Sequence, residues 1–378
     1  MTDDDPDALD ADTGGDDLGD DLDLPATPLD AFANLGPWWA PPPGVDLGLT
    51  AHLDATGAPQ IIERRLVVTD DHAGLRLDHY LVRVIPRLSR TRIQAVIATQ
   101  LTRADGRRPR PGMTVAAGDE LILRRAAKAE PPCPRTFGVL YQDADVMIVD
   151  KPAGLPVHAS AKFYWNTLTR VVAERFPDTP WQIGHRLDRE TSGALAMAAH
   201  KEAAAAVKGA FEHKRAAKTY LAICHGQPPW PEAGAPPLVL DAPLALSGPD
   251  DATLLPGVRM VVRADGLPAI TKVSVLDRAG AYALVRCDLV TGRQHQIRAH
   301  LAHAGFPIVG DKLYAHGDRA FMQFCDGGMT RALAERFGLP RHALHAHRLR
   351  LPHPRTGAPL EVESPLAWDL AAFLAAQR

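Results

Sequence analysis

Apolar residues at Leu77, Tyr80, Leu81, Val84 and Ile85 recur at i, i+3, i+4, i+7 and i+8, a spacing that predicts an amphipathic helix. Pro86 helps to end it. Ser89 is placed to cap a second helix whose apolar face holds Ile93, Val96 and Ile97. Asp105-Gly106 and Gly118-Asp119 read as turns, the second leading into a strand at 120–123. Further along, short strands are predicted at 146–149, 220–223, 271–275 and 283–287, with an alanine-rich helix over 201–211. Strands and helices do not alternate strictly. That disfavours a doubly wound parallel sheet and predicts an α+β fold. The segment from about 315 to 343 reads as a helical insertion, and no internal repeat is seen.

Charge divides the chain. The net charge is −3, but residues 1–24 hold eleven Asp and no Lys or Arg, leaving 34 acidic and 42 basic residues behind them. A basic body behind an acidic tail suggests a polyanionic partner; a solvated surface with a solubilising tail fits the charge equally well. Residues 1–60, Asp-rich and then Pro-rich around Trp38-Trp39, read as a disordered tail, with the two tryptophans either docked or exposed. Residues 62–127 form a small basic module studded with Arg76, Arg83, Arg87, Arg90, Arg92, Arg103, Arg107, Arg108 and Arg110. Residues 128–135 read as a linker, and 136–378 as the larger domain. Four isolated cysteines form no CxxC pair, which argues against a zinc ribbon and suits a reducing cytoplasm. No stretch reads as a membrane span or a signal peptide.

Three polar segments carry candidate chemistry. In 184–193, Asp188 stands between Arg186 and Arg189; a carboxylate beside guanidinium groups stays ionised and can act as nucleophile or base, or be a structural ion pair. In 291–301, Arg293, His295, Arg298 and His300 suit phosphate or a carboxylate partner. The histidine spacing there matches no metallohydrolase signature, so no metal is expected. In 214–220, Lys214, Arg215 and Lys218 lead to Tyr220, which either packs in the core or stacks on a nucleobase. No P-loop, dinucleotide fingerprint or nucleophile elbow appears, so no cofactor is expected.

Together these segments resemble the RluA-type RNA pseudouridine synthases. The motif His-Arg-Leu-Asp-x-x-Thr-Ser-Gly stands complete at His185 to Gly193. Gly-Arg-Thr-His-Gln-Ile-Arg-x-His matches Gly292 to His300, with Gln294 in place of Thr. Lys-Pro-x-Gly-x-x-Val-His matches Lys151 to His158, and Gly-Asp-x-x-Tyr matches Gly310 to Tyr314. Leu344-His345-Ala346 resembles the closing segment, and 76–123 looks like the ribosomal-protein-type RNA-binding module that precedes the catalytic domain in many members. The resemblance implies a bent, mostly antiparallel mixed sheet, with Asp188 as the essential carboxylate, Tyr220 against the target base and Arg298 paired with Asp188. It implies RNA contacts from Arg76, Arg90, Arg92, Arg186, Arg293, His295 and Lys218. The expected partner is RNA, with large-subunit ribosomal RNA ahead of transfer RNA, and the chain is expected to act as a monomer. A non-catalytic RNA-binding or ribosome-assembly protein is the contrasting hypothesis; it would not need Asp188.

Overall fold

A computed structural model describes residues 32–86, 88–160 and 162–378. The Asp-rich stretch 1–24 and Arg87 lie outside the described residues. Among those described, the chain divides into a small unit, 50–129, and a larger one, 32–49 with 130–378.

In the small unit, strands β1 (Ile61–Val67), β2 (Leu101–Arg103) and β3 (Glu120–Ala126) form an antiparallel sheet in the order β1-β3-β2. Helices α1 (Leu77–Val84) and α2 (Arg90–Thr99) match the predicted pair, and the Ser89 hydroxyl accepts from the Arg92 amide as the cap. Leu77, Tyr80, Leu81, Ile93, Ile97 and Leu121 share one core.

The larger unit is built on one ten-stranded sheet. Its strands are β4 (Gly138–Gln142), β5 (Val146–Lys151), β6 (Gln182–Ile183), β7 (Ser192–Ala198), β8 (Ala217–His225), β9 (Leu238–Asp241), β12 (Ile270–Ala279), β13 (Tyr282–Leu289), β14 (Leu344–Pro352) and β15 (Pro359–Glu363). A separate hairpin joins β10 (Leu244–Leu246) and β11 (Met260–Val262). The main path runs β4-β5-β7-β14-β8-β13-β12-β9, and β7–β14 is its parallel pair. Every residue of β7 is buried, because both faces are covered and the strand can be apolar throughout. Its side chains alternate: Leu195 and Met197 enter the main core, while Ala194, Ala196 and Ala198 meet helix α4 (Lys201–Glu212), whose N-cap side chain is His200. The remaining helices are α3 (Leu168–Arg175), α5 (Gln296–His303), α6 (Asp318–Gly327), α7 (Arg331–Phe337) and α8 (Trp368–Ala375). The predicted insertion contains α6 and α7.

Two sequence expectations need correction. Residues 32–60 are not a tail. Trp39 is buried beside Phe32, and Trp38 sits edge-on against Phe373 at 5.2 Å and donates to the Gly338 carbonyl at 3.0 Å. A large aromatic side chain buries roughly 150–250 Å², and prolines lower the entropy lost on ordering; together these outweigh the composition argument. Nor is 128–135 a free linker. Glu130 accepts from the amides of Tyr164, Trp165 and Asn166 at 2.9 Å each, and Cys133 is buried.

Candidate active site

The loop carrying Asp188 leaves β6 and enters β7, and its geometry follows from a few braces. The Thr191 amide donates to the Asp188 carbonyl at 3.0 Å, closing a turn. The neighbouring Arg189 carbonyl accepts from the Gly154 amide at 2.8 Å and from Lys151 Nζ at 3.0 Å. Lys151, fully buried at the end of β5, also donates to the carbonyls of Pro152 and Leu155, both at 2.9 Å. Burial pushes its pKa down to about 7. Thr191 Oγ1 meets His342 Nε2 at 2.8 Å, and Ser192 Oγ meets His345 Nδ1 at 2.9 Å. Gly193 adopts φ +109°, and a Cβ there would lie 2.3 Å from the Ala346 carbonyl oxygen. The motif therefore ends in Gly so that β7 can lie against β14.

Arg298 reaches Asp188 from α5. Its Nη1 donates to Asp188 Oδ2 at 3.0 Å, while Nε and Nη2 clasp both oxygens of Asp311 at 2.7 and 3.1 Å. Asp311 is wholly buried, and its Oδ1 also accepts from the amides of Leu313 and Tyr314 at 3.0 Å. Burial alone would raise the Asp311 pKa. Arg298 and these amides outweigh it and hold the carboxyl below its ordinary range. One guanidinium thus serves two carboxylates: Asp311 fixes it, and Asp188, with 22% of its side chain exposed, is the one open to a ligand.

Tyr220 is buried on β8, where burial and then the charge of Asp188 push its phenol upward. It is a neutral, mostly apolar wall that senses the Asp188 carboxylate. Lys218, on the same strand, lies 5.3 Å from the Phe211 ring centroid, and burial lowers its pKa. His185 packs on Phe211 and accepts from the Ala196 amide at 3.2 Å; burial, then Lys218, brings its pKa down to about 3. The motif histidine is a neutral spacer.

The other sequence candidates separate into surface and interior. Arg186 and Arg293 are exposed. His295 is not at the surface: it is 5% exposed, adopts φ +50° as the residue before α5 and meets the Tyr314 hydroxyl at 3.2 Å. The expectation that it contacts RNA is not supported by that burial. In the small unit Arg76, Arg90 and Arg92 are exposed, and Arg76 donates twice to the buried Asp78 at 3.1 Å. Sequence reasoning gave no role to Lys151, Asp311 and Gln296, although each stands in a matched motif, nor to Glu190. Gln296 accepts from Thr291 Oγ1 and the Arg293 amide and donates to the Ile270 carbonyl and Thr271 Oγ1, which pins the turn before α5. Glu190 binds Lys312 Nζ at 2.7 Å and the His342 amide at 3.0 Å. A Lys following the apolar run 146–149 and Asp150 was a readable signal for Lys151; nothing local pointed to Glu190.

Among the described residues, Asp143, Asp145 and His353 bring ligand atoms within 4.8 Å of one another. They are already satisfied as a polar cluster. His353 meets Asp143 at 2.6 Å, Tyr141 donates to Asp143 at 2.7 Å, and Arg355 donates to Asp145 at 2.7 Å, a guanidinium where a cation would sit.

Residues 145–303 match the family model described as RNA pseudouridylate synthase. The chain is 33% identical to the ribosomal large subunit pseudouridine synthase D of Xanthomonas campestris, over 83% of this chain and 92% of that one. It is 36% identical to an uncharacterized RNA pseudouridine synthase of Chloroflexus aurantiacus, over 82% and 93%. It is 32% identical to the ribosomal large subunit pseudouridine synthase C of Escherichia coli, over 80% and 92%. The matched span contains both the Asp188 loop and the Arg298 helix, and the likeness to these relatives runs over 80–83% of the chain. On these grounds the chain belongs to the RluA-type RNA pseudouridine synthases and is an isomerase acting on RNA.

Proposed function

We propose that this enzyme converts specific uridines of large-subunit ribosomal RNA to pseudouridine, with Asp188 as the catalytic carboxylate. The observation that carries the reading is the Asp188–Arg298–Asp311 arrangement, in which one partly exposed carboxylate is held in aim by a buried arginine that a second carboxylate binds twice. The names of the Xanthomonas and Escherichia relatives and the basic small unit support ribosomal RNA as the substrate. No helix of the described residues is long and apolar enough to cross a membrane; the reading places the enzyme in the cytoplasm as a monomer.

The reaction breaks the C1′–N1 bond, turns the uracil, and joins C1′ to C5. The C5 proton leaves and N1 takes one up, so no oxidant, reductant or group donor is required. The target nucleotide must first be extruded from its stack, at a cost on the order of a few kcal/mol. Phosphate contacts from exposed arginines offset that cost. Asp188 then either attacks C1′ or removes the C2′ proton; both routes need the same aim at the ribose. One carboxylate suffices, where an ordinary glycosidase uses two and a water, because the detached base is retained. Tyr220 forms a wall that keeps water from the base.

The test is pseudouridine mapping of total RNA from cells lacking the gene, complemented with the natural enzyme or with Asp188→Asn. Loss of ribosomal sites that only the natural enzyme restores is the expected outcome. Loss of transfer RNA sites would leave the chemistry and remove the substrate assignment. Restoration by Asp188→Asn would remove the catalytic assignment.

A further inference from the structure

Among the described residues the small unit is joined to the larger one by two chain segments, at 49–50 and 129–130. On the larger unit these segments meet. The Cys133 amide donates to the Leu47 carbonyl at 3.1 Å and the Arg135 amide to the Asp46 carbonyl at 2.8 Å, so the outgoing and returning chains run antiparallel. The side chain of Asn166, fully buried, holds both: its Nδ2 donates to the Gly48 carbonyl and to the Pro131 carbonyl, each at 3.2 Å. Its Oδ1 accepts from Arg135 Nη1 at 3.2 Å, so the whole carboxamide is used. Gly48 adopts φ +65°, and a Cβ on it would lie 2.1 Å from Asn166 Oδ1. Within the small unit the same two segments meet again, where the Ala127 amide donates to the Gln60 carbonyl at 2.7 Å and Gln60 Nε2 donates to the carbonyls of Ala51 and Leu53.

We propose that Asn166 is a positioning residue that clamps both tethers of the small unit, so that RNA bound there reaches Asp188 from a doubly anchored support. The physical basis is effective concentration. A unit on one flexible linker samples a wide volume, whereas two short tethers fixed at one point remove most of that volume. The buried carboxamide is suited to this: its two donors take one carbonyl from each chain, and losing it leaves both unpaired. The inference rests on the RNA-binding reading of the small unit, and the test separates the two.

A protease site placed between Leu49 and Thr50 lets one tether be cut in the purified full chain. Backbone relaxation by NMR reports how independently the small unit tumbles, without RNA. Steady-state kinetics then compare a long structured ribosomal fragment with a short stem-loop around the target uridine. The expected result is faster independent tumbling after cutting, and a KM for the long fragment raised about tenfold. kcat, and both constants for the stem-loop, stay the same. Gly48→Ala, which displaces Asn166 without cutting the chain, should move KM the same way. Unchanged tumbling overturns the clamp. Faster tumbling with an unchanged KM, in an enzyme that prefers the long fragment, overturns its positioning role. An uncut enzyme that treats both RNAs alike overturns the RNA-binding reading and the positioning role with it.

Discussion

The Asp188 loop and the small unit both gather positive charge, but they hold it differently. Around Asp188 the cations that pair with carboxylates are interior, Arg186 being exposed: the Arg298 side chain is 4% exposed, and Lys312 and Arg341 are buried on Glu190 and Asp369. In the small unit Arg90 has 63% of its side chain exposed, and Arg92 projects from the first turn of α2. A buried ion pair costs desolvation and returns fixed geometry. An exposed arginine adds little to stability, yet a set of them attracts a phosphate backbone. On the reading proposed above, the first region sets where atoms sit during the reaction, and the second decides how much RNA is held. Substitutions should therefore fail in different ways in the two places.

The largest effect is expected at Asp188. Asp188→Asn should cut single-turnover pseudouridine formation by at least about 10³-fold, while its denaturant midpoint stays close to that of the natural enzyme, since Asp311 still holds Arg298. Asp311→Ala should behave otherwise. It takes from a buried guanidinium the carboxylate that accepts from both its Nε and its Nη2, a change that costs about 3–5 kcal/mol, and it frees Arg298 to turn from Asp188. Activity and stability should fall together, measured by urea unfolding beside the same assay. If Asp311→Ala lowered activity alone, the claim that this region fixes geometry through buried charge would be wrong.

Much of this division was legible beforehand, and the reasons are local. Helices α1 and α2 followed from apolar spacing and a serine cap, because both signals lie within a few residues. Asp188 and Arg298 stood in separate motifs, and the resemblance implied their pairing. What escaped were contacts made across long stretches of chain. Lys312 meets Glu190 across 122 residues and His342 meets Thr191 across 151; no window of sequence shows such partners. His295 misled because its residue type suits a phosphate, whereas its left-handed backbone and Tyr314 turn it inward. The tail boundary near 60 misled because composition averages over Trp38 and Trp39, the two residues that dock.

Acid should sharpen the comparison next. Burial pushes His345 down to about 4 and His342 well below its ordinary value. The unfolded chain takes up protons on both near pH 6.5, whereas the folded chain leaves both neutral until a much lower pH. Between those values the unfolded state binds more protons. The stability these groups contribute is thus complete above about 6.5 and is lost as pH falls toward 4, by about 1.4 kcal/mol per pH unit for each histidine. None of the small unit's histidines, His52, His72 and His79, is fully buried. All six tryptophans lie outside 50–129, so their fluorescence follows the larger unit alone. Its unfolding midpoint in urea should drop steeply from pH 6.5 to 5. A flat midpoint over that interval would contradict the buried, neutral state of these histidines.

The smallest effect is expected at Arg92, and it tests the other half of the contrast. Arg92→Ala should raise KM for a long RNA only a few-fold at low salt and leave kcat alone. The slope of log KM against log salt should shrink by about 0.7–0.9, the share of one phosphate contact. Arg76 is a harder case, since it already donates twice to buried Asp78; Arg76→Ala should lose stability as well, because that carboxylate would keep the His79 amide at 3.1 Å and only the more distant Arg90, at 3.8 Å, as a cation. The two substitutions differ in whether the arginine has an interior partner, so the salt slope should change without a stability loss at Arg92 and with one at Arg76. A fall in kcat at Arg92 on a short stem-loop around the target uridine would mean that the exposed arginines take part in aligning the reacting atoms, and the division between holding RNA and fixing geometry would have to be given up.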